Sequence, residues 1–118
     1  MIQRMDVITR DDRPWGFYEV LLTEPGIQIK RITVTAGKRL SLQTHQHREE
    51  NWFITAGRGM VTNADWVYTV TAGAKVQIAK GAKHRIEALD EDVVFYEVQI
   101  GDYLGEDDIV RLEDDYGR

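Results

Sequence analysis

Residues 37–57, GKRLSLQTHQHREENWFITAG, hold the pattern that decides the fold. Residues 40–47 and 51–55 are predicted as strands, because side chains alternate there with the period of two that is typical of half-buried strands. Turn-forming pairs bound the stretch at Ala36-Gly37 and Ala56-Gly57. The stretch therefore predicts two β-strands that are separated by a short polar connection.

The middle of the chain repeats this pattern. Further strands are predicted at residues 27–30, 32–35, 59–62, 66–70, 75–79, 84–88 and 93–100. The runs 27–30 and 32–35 alternate in opposite phase, and a bulge near Lys30 and Arg31 would reconcile them. Short strands with turns every eight to twelve residues or so are typical of an antiparallel barrel or a jelly-roll sandwich. The fold class predicted is all-β, in a single domain.

The charge is unevenly distributed along the 118 residues. Residues 1–101 hold 13 acidic and 13 basic side chains, whereas residues 102–118 hold 7 acidic and 2 basic ones. A neutral body with an acidic tail lacks the basic face that nucleic acids and anionic lipid surfaces require. No nucleic-acid or membrane partner is therefore expected.

The chain has no cysteine, which excludes thiol catalysis, disulfides and thiolate metal sites. Residues 1–14 contain no apolar run that could serve as a signal peptide, and a cytoplasmic location is expected. Residues 1–16 are predicted to form an N-terminal arm. The acidic tail, 102–118, either extends into solvent or packs on the barrel or on a partner subunit, since it contains several apolar side chains.

The three histidines of the chain lie in two short segments. On a strand, Gln43, His45 and His47 share one face, which makes a polar row. If that face looks into a barrel, a metal ion would satisfy the row, and Glu50 would be a carboxylate ligand nearby. The alternative is three solvent-exposed histidines.

Two sets of spacings favour the metal. Gly37, Gln43, His45, Glu50 and Gly57 are spaced as in the cupin motif G-x5-H-x-H-x4-E-x6-G, with Gln43 at the first His position. Gly73, Gly81 and His84 are spaced as in the second cupin motif, G-x5-P-x-G-x2-H-x3-N, with Ala79 at the Pro position and Ala88 at the Asn position. The sequence therefore resembles the cupins, and this resemblance implies a cupin-type double-stranded β-helix, or jelly-roll barrel.

Several runs resemble one family within the cupins. They are RPWG at 13–16, KRITV at 30–34, RLSLQ at 39–43, HQHR at 45–48, HR at 84–85 and YLGEDDIVR at 103–111. They resemble the isomerase domain of type II mannose-6-phosphate isomerases, which is usually the C-terminal part of a bifunctional mannose-1-phosphate guanylyltransferase. The resemblance implies a metal-dependent interconversion of mannose 6-phosphate and fructose 6-phosphate. No guanylyltransferase activity is expected, because the chain has no Gly-rich phosphate loop.

The resemblance also implies a ligand set. Phosphomannose isomerases of the other type bind zinc through a Gln, a His, a Glu and a second His. Carried over by position, the ligands are Gln43, His45, Glu50 and His84. Zinc is the first expectation, and Mn, Fe or Ni also suit these donors. The alternative pairs His45 with His47 as ligands and leaves Gln43 outside the coordination sphere.

The remaining site predictions concern the substrate. His47 or Glu49 is the predicted base, and Arg85 with Arg48 or Lys83 is predicted to hold the phosphate. Arg31 is a further substrate-binding candidate if it points inward. Glu97 and Gln99, on one face of the last strand, are weaker candidates for lining the site.

A homodimer is expected, because pairing would remove unprotected edge strands. Two other functions stay open. One is a stand-alone cupin that binds a metal and a sugar phosphate without turnover, and Asn51 motivates it because the family commonly has His there. The other is a different cupin enzyme, such as a dioxygenase or a sugar epimerase.

Overall fold

The computed structural model describes residues 7–118, which form eleven strands and no helix. The strands are β1 (Thr9–Arg13), β2 (Gly16–Glu24), β3 (Ile27–Val34), β4 (Leu42–Thr44), β5 (Arg48–Ala56), β6 (Arg58–Asn63), β7 (Trp66–Thr71), β8 (Lys75–Ile78), β9 (His84–Ala88), β10 (Val93–Gly101) and β11 (Val110–Glu113). No helix in the described residues is therefore long and apolar enough to cross a membrane.

The strands form two antiparallel sheets that face each other. One sheet has the order β1-β2-β3-β10-β5-β8, and the other has the order β11-β4-β9-β6-β7. Apolar side chains from both sheets meet in one core, which includes Val34, Ile54, Val61, Ile86 and Phe95. The observed architecture is the predicted all-β jelly roll.

The space between the sheets has an apolar end and a polar end. On β5, Trp52 and Ile54 point into the core, whereas Glu50 points inward beyond them. On the neighbouring strands the inward side chains also change from apolar to polar, from Phe95 to Glu97 on β10 and from Ile32 to Lys30 on β3. Glu97 lies opposite Lys30 in the sheet register, and Glu50 lies opposite Gln99, the next inward residue of β10. The polar inner side chains of the three strands therefore lie at the same end of the barrel.

The bulge expected near Lys30 and Arg31 is not present in β3. The extra residue is Leu21, on the neighbouring strand β2, where the register shifts between Val20 and Leu22. The alternation in β3 never changes phase, because Lys30 takes an inward position that an apolar residue would usually occupy. Arg31 therefore points outward.

Both terminal segments join the sheets. Within the predicted N-terminal arm, β1 pairs with β2, and residues 1–6 lie outside the described residues. In the acidic tail, β11 pairs with β4 at the edge of the second sheet. Edge strands are thus present in both sheets, and the homodimer stays a prediction.

The turn after β5 requires a glycine for two reasons. Gly57 has a φ of +84°, and a Cβ there would overlap the carbonyl oxygen of Asp92. Gly73 has a similar φ of +95°, but a Cβ there would meet nothing within 4 Å. A comparison of substitutions at the two positions therefore distinguishes the cost of backbone strain from the cost of steric overlap.

We expect Gly73→Ala to lower the free energy of unfolding by about 1 kcal/mol, the strain of a left-handed alanine. Gly57→Ala should lower it by roughly 3 kcal/mol or more, because the backbone must also shift. Urea denaturation of the two variants measures the difference. Equal losses would show that the contact with Asp92 does not constrain this turn.

Candidate metal centre

A cavity of about 460 Å³ opens at the polar end of the barrel. Its inner wall comes from β3, β5 and β10 on one side and from β4 and β9 on the other. Its outer wall comes from the tail, through residues that include Glu106, Ile109 and Arg111. The cavity is therefore bounded by both sheets and by the C-terminal segment.

Three of the predicted ligands meet at the bottom of this cavity. His45, Glu50 and His84 are buried, and one ligand atom from each lies within 4.8 Å of the others. The Nε2 atom of His45 is 3.2 Å from Glu50 Oε2, and the Nε2 atom of His84 is 3.6 Å from Glu50 Oε1. The structure thus brings together residues from β5, β9 and the loop after β4.

Both imidazoles are oriented by the backbone. The Nδ1 atom of His45 lies 2.7 Å from the carbonyl oxygen of Asp108, and that of His84 lies 3.0 Å from the carbonyl oxygen of Ala82. A carbonyl oxygen only accepts, so each Nδ1 carries the proton and donates it. Each Nε2 lone pair then faces Glu50, in the arrangement that metal-binding histidines commonly show.

The protonation states suit the binding of a cation. Burial alone would raise the pKa of Glu50, but the His45 and His84 imidazoles and the Arg48 guanidinium hold it well below its ordinary value. Burial lowers the pKa of His84, which favours the neutral ring. Glu50 also accepts hydrogen bonds from Arg48 Nε and Trp52 Nε1, each at 3.0 Å. The cluster therefore offers one carboxylate and, at His84, a neutral imidazole nitrogen.

Gln43 lines the same cavity from β4, directly opposite His84 in the register. Its Nε2 atom donates to the carbonyl oxygen of Ser41 at 3.4 Å, which leaves the amide oxygen as the free acceptor. His47, in contrast, is not in the cavity lining. Its side chain is 53% exposed and lies 3.6 Å from Asp102. Strand β4 ends at Thr44, so the alternation that placed His47 beside His45 does not extend that far.

The predicted base Glu49 and the substituted position Asn51 lie on the outer face of β5. Inward positions of this strand are Arg48, Glu50 and Trp52, and the residues between them point away. The Glu49 carboxylate accepts a hydrogen bond from Gln77 outside the barrel. The Asn51 side chain therefore does not alter the cavity, and Glu49 does not reach it.

Of the four predicted substrate-binding cations, Arg48 alone lines the cavity. Its NH2 atom is 3.1 Å from His45 Nε2 and 2.9 Å from Glu50 Oε2. Arg31 lies on the outer face, where two nitrogens donate to Glu19 at 2.9 Å each. Lys83 is exposed in the loop before β9.

Arg85 lies on the opposite face of β9 from His84, since successive residues of a strand point to opposite faces. Its Nε donates to the carbonyl oxygen of Leu40, and its NH1 pairs with Glu113 of the tail at 3.1 Å. The position beside His84 in the sequence therefore places Arg85 under the tail and not at the cavity.

Two charged residues stand out among the other cavity residues. Lys30 is buried, lies 4.1 Å from the centre of the Tyr18 ring, and pairs with Glu106 across the mouth. Glu97 is buried and accepts a hydrogen bond from Gln99. Burial and the charge of Glu50 raise the pKa of Glu97 to about 7. Sequence reasoning missed Lys30, which the strict alternation Lys30, Ile32, Val34 would have placed inward.

The donor set fits a divalent metal. Two imidazole nitrogens and a carboxylate lie together, and Gln43 lines the same cavity, so the site offers nitrogen and oxygen donors that suit Zn, Mn, Fe and Ni. The two anchored Nδ1 atoms supply the outer hydrogen bonds that orient such ligands. The residues in the cavity are therefore compatible with the predicted metal, whose identity stays a prediction.

Solved structures with the same fold are cupins. A mutant of the oxalate decarboxylase of Bacillus subtilis aligns with 95% of this chain and 33% of its own at a TM-score of 0.78 and 18% identity. A double-stranded β-helix protein from Klebsiella pneumoniae covers 81% of this chain and 83% of its own at 0.71 and 17% identity. A cupin-2 domain from Rhodospirillum rubrum covers 78% and 67% at 0.67 and 25% identity. The predicted cupin fold is confirmed.

Relatives of higher identity are bacterial biosynthetic proteins. The xanthan biosynthesis protein XanB of Xanthomonas campestris is 46% identical over 107 residues, which are 90% of this chain and 23% of that protein. The alginate biosynthesis protein AlgA of Pseudomonas aeruginosa is 44% identical over 90% of this chain and 22% of its own. A mannose-1-phosphate guanylyltransferase of Klebsiella pneumoniae is 42% identical over 90% and 23%. The chain thus spans less than a quarter of the length of these relatives.

The family assignment comes from a match that extends over nearly the whole chain. Residues 3–114 match the family described as mannose-6-phosphate isomerase C-terminal. Together with the relatives above, this match confirms the resemblance to the type II isomerase domains. The chain belongs to the mannose-6-phosphate isomerase C-terminal family of cupins.

Proposed function

We propose that this chain is a metal-dependent aldose–ketose isomerase that interconverts mannose 6-phosphate and fructose 6-phosphate. The observation that carries the proposal is the buried cluster of His45, Glu50 and His84 at the bottom of a cavity, in a chain of this family. The cavity volume of about 460 Å³ lies within the range that small-molecule sites occupy.

His45, Glu50 and His84 would hold the metal, with the amide oxygen of Gln43 as a fourth ligand. A divalent ion bound there would polarise the oxygens at C1 and C2 of the open-chain sugar. Zinc remains the first expectation. Arg48 lines the cavity and contacts both His45 and Glu50, and it would hydrogen-bond to the sugar oxygens as negative charge develops.

The isomerisation needs a base inside the cavity, and we assign it to Glu97. His47 and Glu49 lie outside the cavity, whereas Glu97 lines it and is 5% exposed. A carboxylate there would take the proton from C2 of the aldose and return it at C1. The pKa of about 7 supports this role, because a base of that pKa can both accept and release a proton near neutral pH.

The phosphate end is assigned to Lys30, Arg13 and Arg111. All three line the cavity, from β3, β1 and β11 respectively. Arg13 donates to the Tyr18 hydroxyl at 3.2 Å, and Lys30 lies over the same ring. Lys30 already binds a carboxylate, that of Glu106, and a phosphate group would replace this partner.

Zinc-loaded protein should convert fructose 6-phosphate to mannose 6-phosphate in a coupled assay. His84→Ala should lower kcat/KM by about a thousandfold or more, since it removes a metal ligand. Mannose without its phosphate should not be turned over at comparable rates. Calorimetry that finds sugar-phosphate binding by the fully loaded protein without turnover would contradict the isomerase and select the non-catalytic binding protein.

Glu97→Gln should lower kcat by about 10² to 10⁴, because the amide cannot take the proton. It should also change the pH dependence of stability in the metal-free protein. A carboxyl whose pKa is raised from 4.5 to about 7 stabilises the folded state at low pH, and this contribution is lost as the pH rises through that window.

The variant should therefore lose less stability than the wild type between pH 5 and pH 8, by roughly 1 to 3 kcal/mol. Thermal unfolding in the presence of a chelator measures this, with the exposed carboxylate variant Glu91→Gln as the matched control. An unchanged kcat, or a pH profile of stability like that of Glu91→Gln, would remove Glu97 from the proposed role.

A further inference from the structure

The acidic tail contacts the predicted ligand His45 through Asp108. Its carbonyl oxygen accepts the hydrogen bond from His45 Nδ1 at 2.7 Å. Of the seven acidic residues in 102–118, Asp108 alone is buried, with 8% of its surface exposed. A tail residue therefore supplies the outer hydrogen bond of a predicted ligand that lies 63 positions earlier in the chain.

The side chain of Asp108 also binds the loop after β4, which contains His45. Its two carboxylate oxygens accept hydrogen bonds from the backbone amides of Gln46 at 2.9 Å and His47 at 3.0 Å. Burial alone would raise the pKa of Asp108, but these two amide donors lower it below its ordinary value. The carboxylate thus fixes where the chain turns outward after His45.

These contacts work together. The two amides hold the Asp108 side chain, and the side chain in turn holds its own carbonyl oxygen against His45 Nδ1. With that acceptor in place, the Nδ1 atom keeps the proton and the Nε2 lone pair faces Glu50. Without it, the ring would lose the partner that selects its tautomer and its direction.

We propose that Asp108 is a positioning residue for the metal ligand His45, and that the tail is a structural part of the metal centre. The inference rests on the proposed metal site and not on the isomerase reaction. Removal of the Asp108 carboxylate should therefore weaken metal binding even where no sugar phosphate is present.

Other tail contacts hold the segment to the body without touching the ligand loop. Asp115 accepts two hydrogen bonds from Arg39, at 2.7 and 2.8 Å. Asp115→Asn weakens this attachment and leaves Asp108 intact, so it is the matched control. This control shows whether metal binding depends on attachment of the tail in general or on the orientation of His45 in particular.

The test is a titration of the metal-free full chain with Zn²⁺ alone, using a competing chromophoric chelator. Asp108→Ala should weaken Zn²⁺ affinity by about 10- to 100-fold, the range seen when outer partners of metal ligands are lost. The Zn²⁺ affinity of Asp108→Asn should lie between those of the wild type and Asp108→Ala, because its amide oxygen can accept one of the two backbone hydrogen bonds. The Zn²⁺ affinity of Asp115→Asn should be within about twofold of the wild-type affinity.

A second readout concerns the ring directly. Nitrogen NMR of the metal-free protein should show His45 protonated at Nδ1 in the wild type and in Asp115→Asn, and a mixture of tautomers in the Asp108 variants. If Asp108→Ala does not fold, Asp108→Asn carries both measurements.

Wild-type affinity in the Asp108 variants, or an equal loss in Asp115→Asn, would overturn the proposal. The expected pattern of affinities in a protein without isomerase activity would support the positioning role and contradict only the proposed reaction.

Discussion

The structure depends on burying the carboxylate of Glu50, which is 1% exposed. A buried charge is costly unless it is paired and hydrogen-bonded. Arg48 and the Trp52 indole each donate a hydrogen bond to the carboxylate. One imidazole nitrogen from each of the two histidines of the cluster also lies close to its oxygens. A metal ion bound between these nitrogens and the carboxylate would interact favourably with all of them. The arrangement therefore explains why these residue types occur together at the bottom of one cavity.

The rest of the barrel is arranged around this requirement. The inner faces of β3, β5 and β10 all change from apolar to polar towards the same end of the barrel, so the core ends where the cavity begins. The tail then covers the polar end, where Glu106 pairs with Lys30 and Asp108 contacts His45. The acidic composition of the tail thus serves specific contacts with the body, and the net charge of the protein does not describe its cavity.

The sequence predicts most of the strands between residues 27 and 100, but not β1 or β11. It also indicates three residues that meet in the cavity, because strand alternation and motif spacing are both local patterns. Alternation indicates the strands, and the motif spacings indicate His45, Glu50 and His84. The residues around the ligands are harder to predict. Arg85 neighbours His84 in the sequence but points to the other face of β9, and His47 leaves the strand because β4 ends at Thr44. Asp108 contacts the site from far along the chain, and no local pattern indicates such a contact.

The central claim is that two imidazoles and a carboxylate bind one metal ion in this cavity. X-ray absorption spectroscopy of the zinc-loaded protein tests it most directly. The account predicts two imidazole ligands with nitrogen at about 2.0 to 2.1 Å and oxygen ligands at about 2.0 to 2.2 Å, and the loss of one imidazole in His84→Ala. A spectrum with oxygen ligands alone, or one that His84→Ala leaves unchanged, would contradict it.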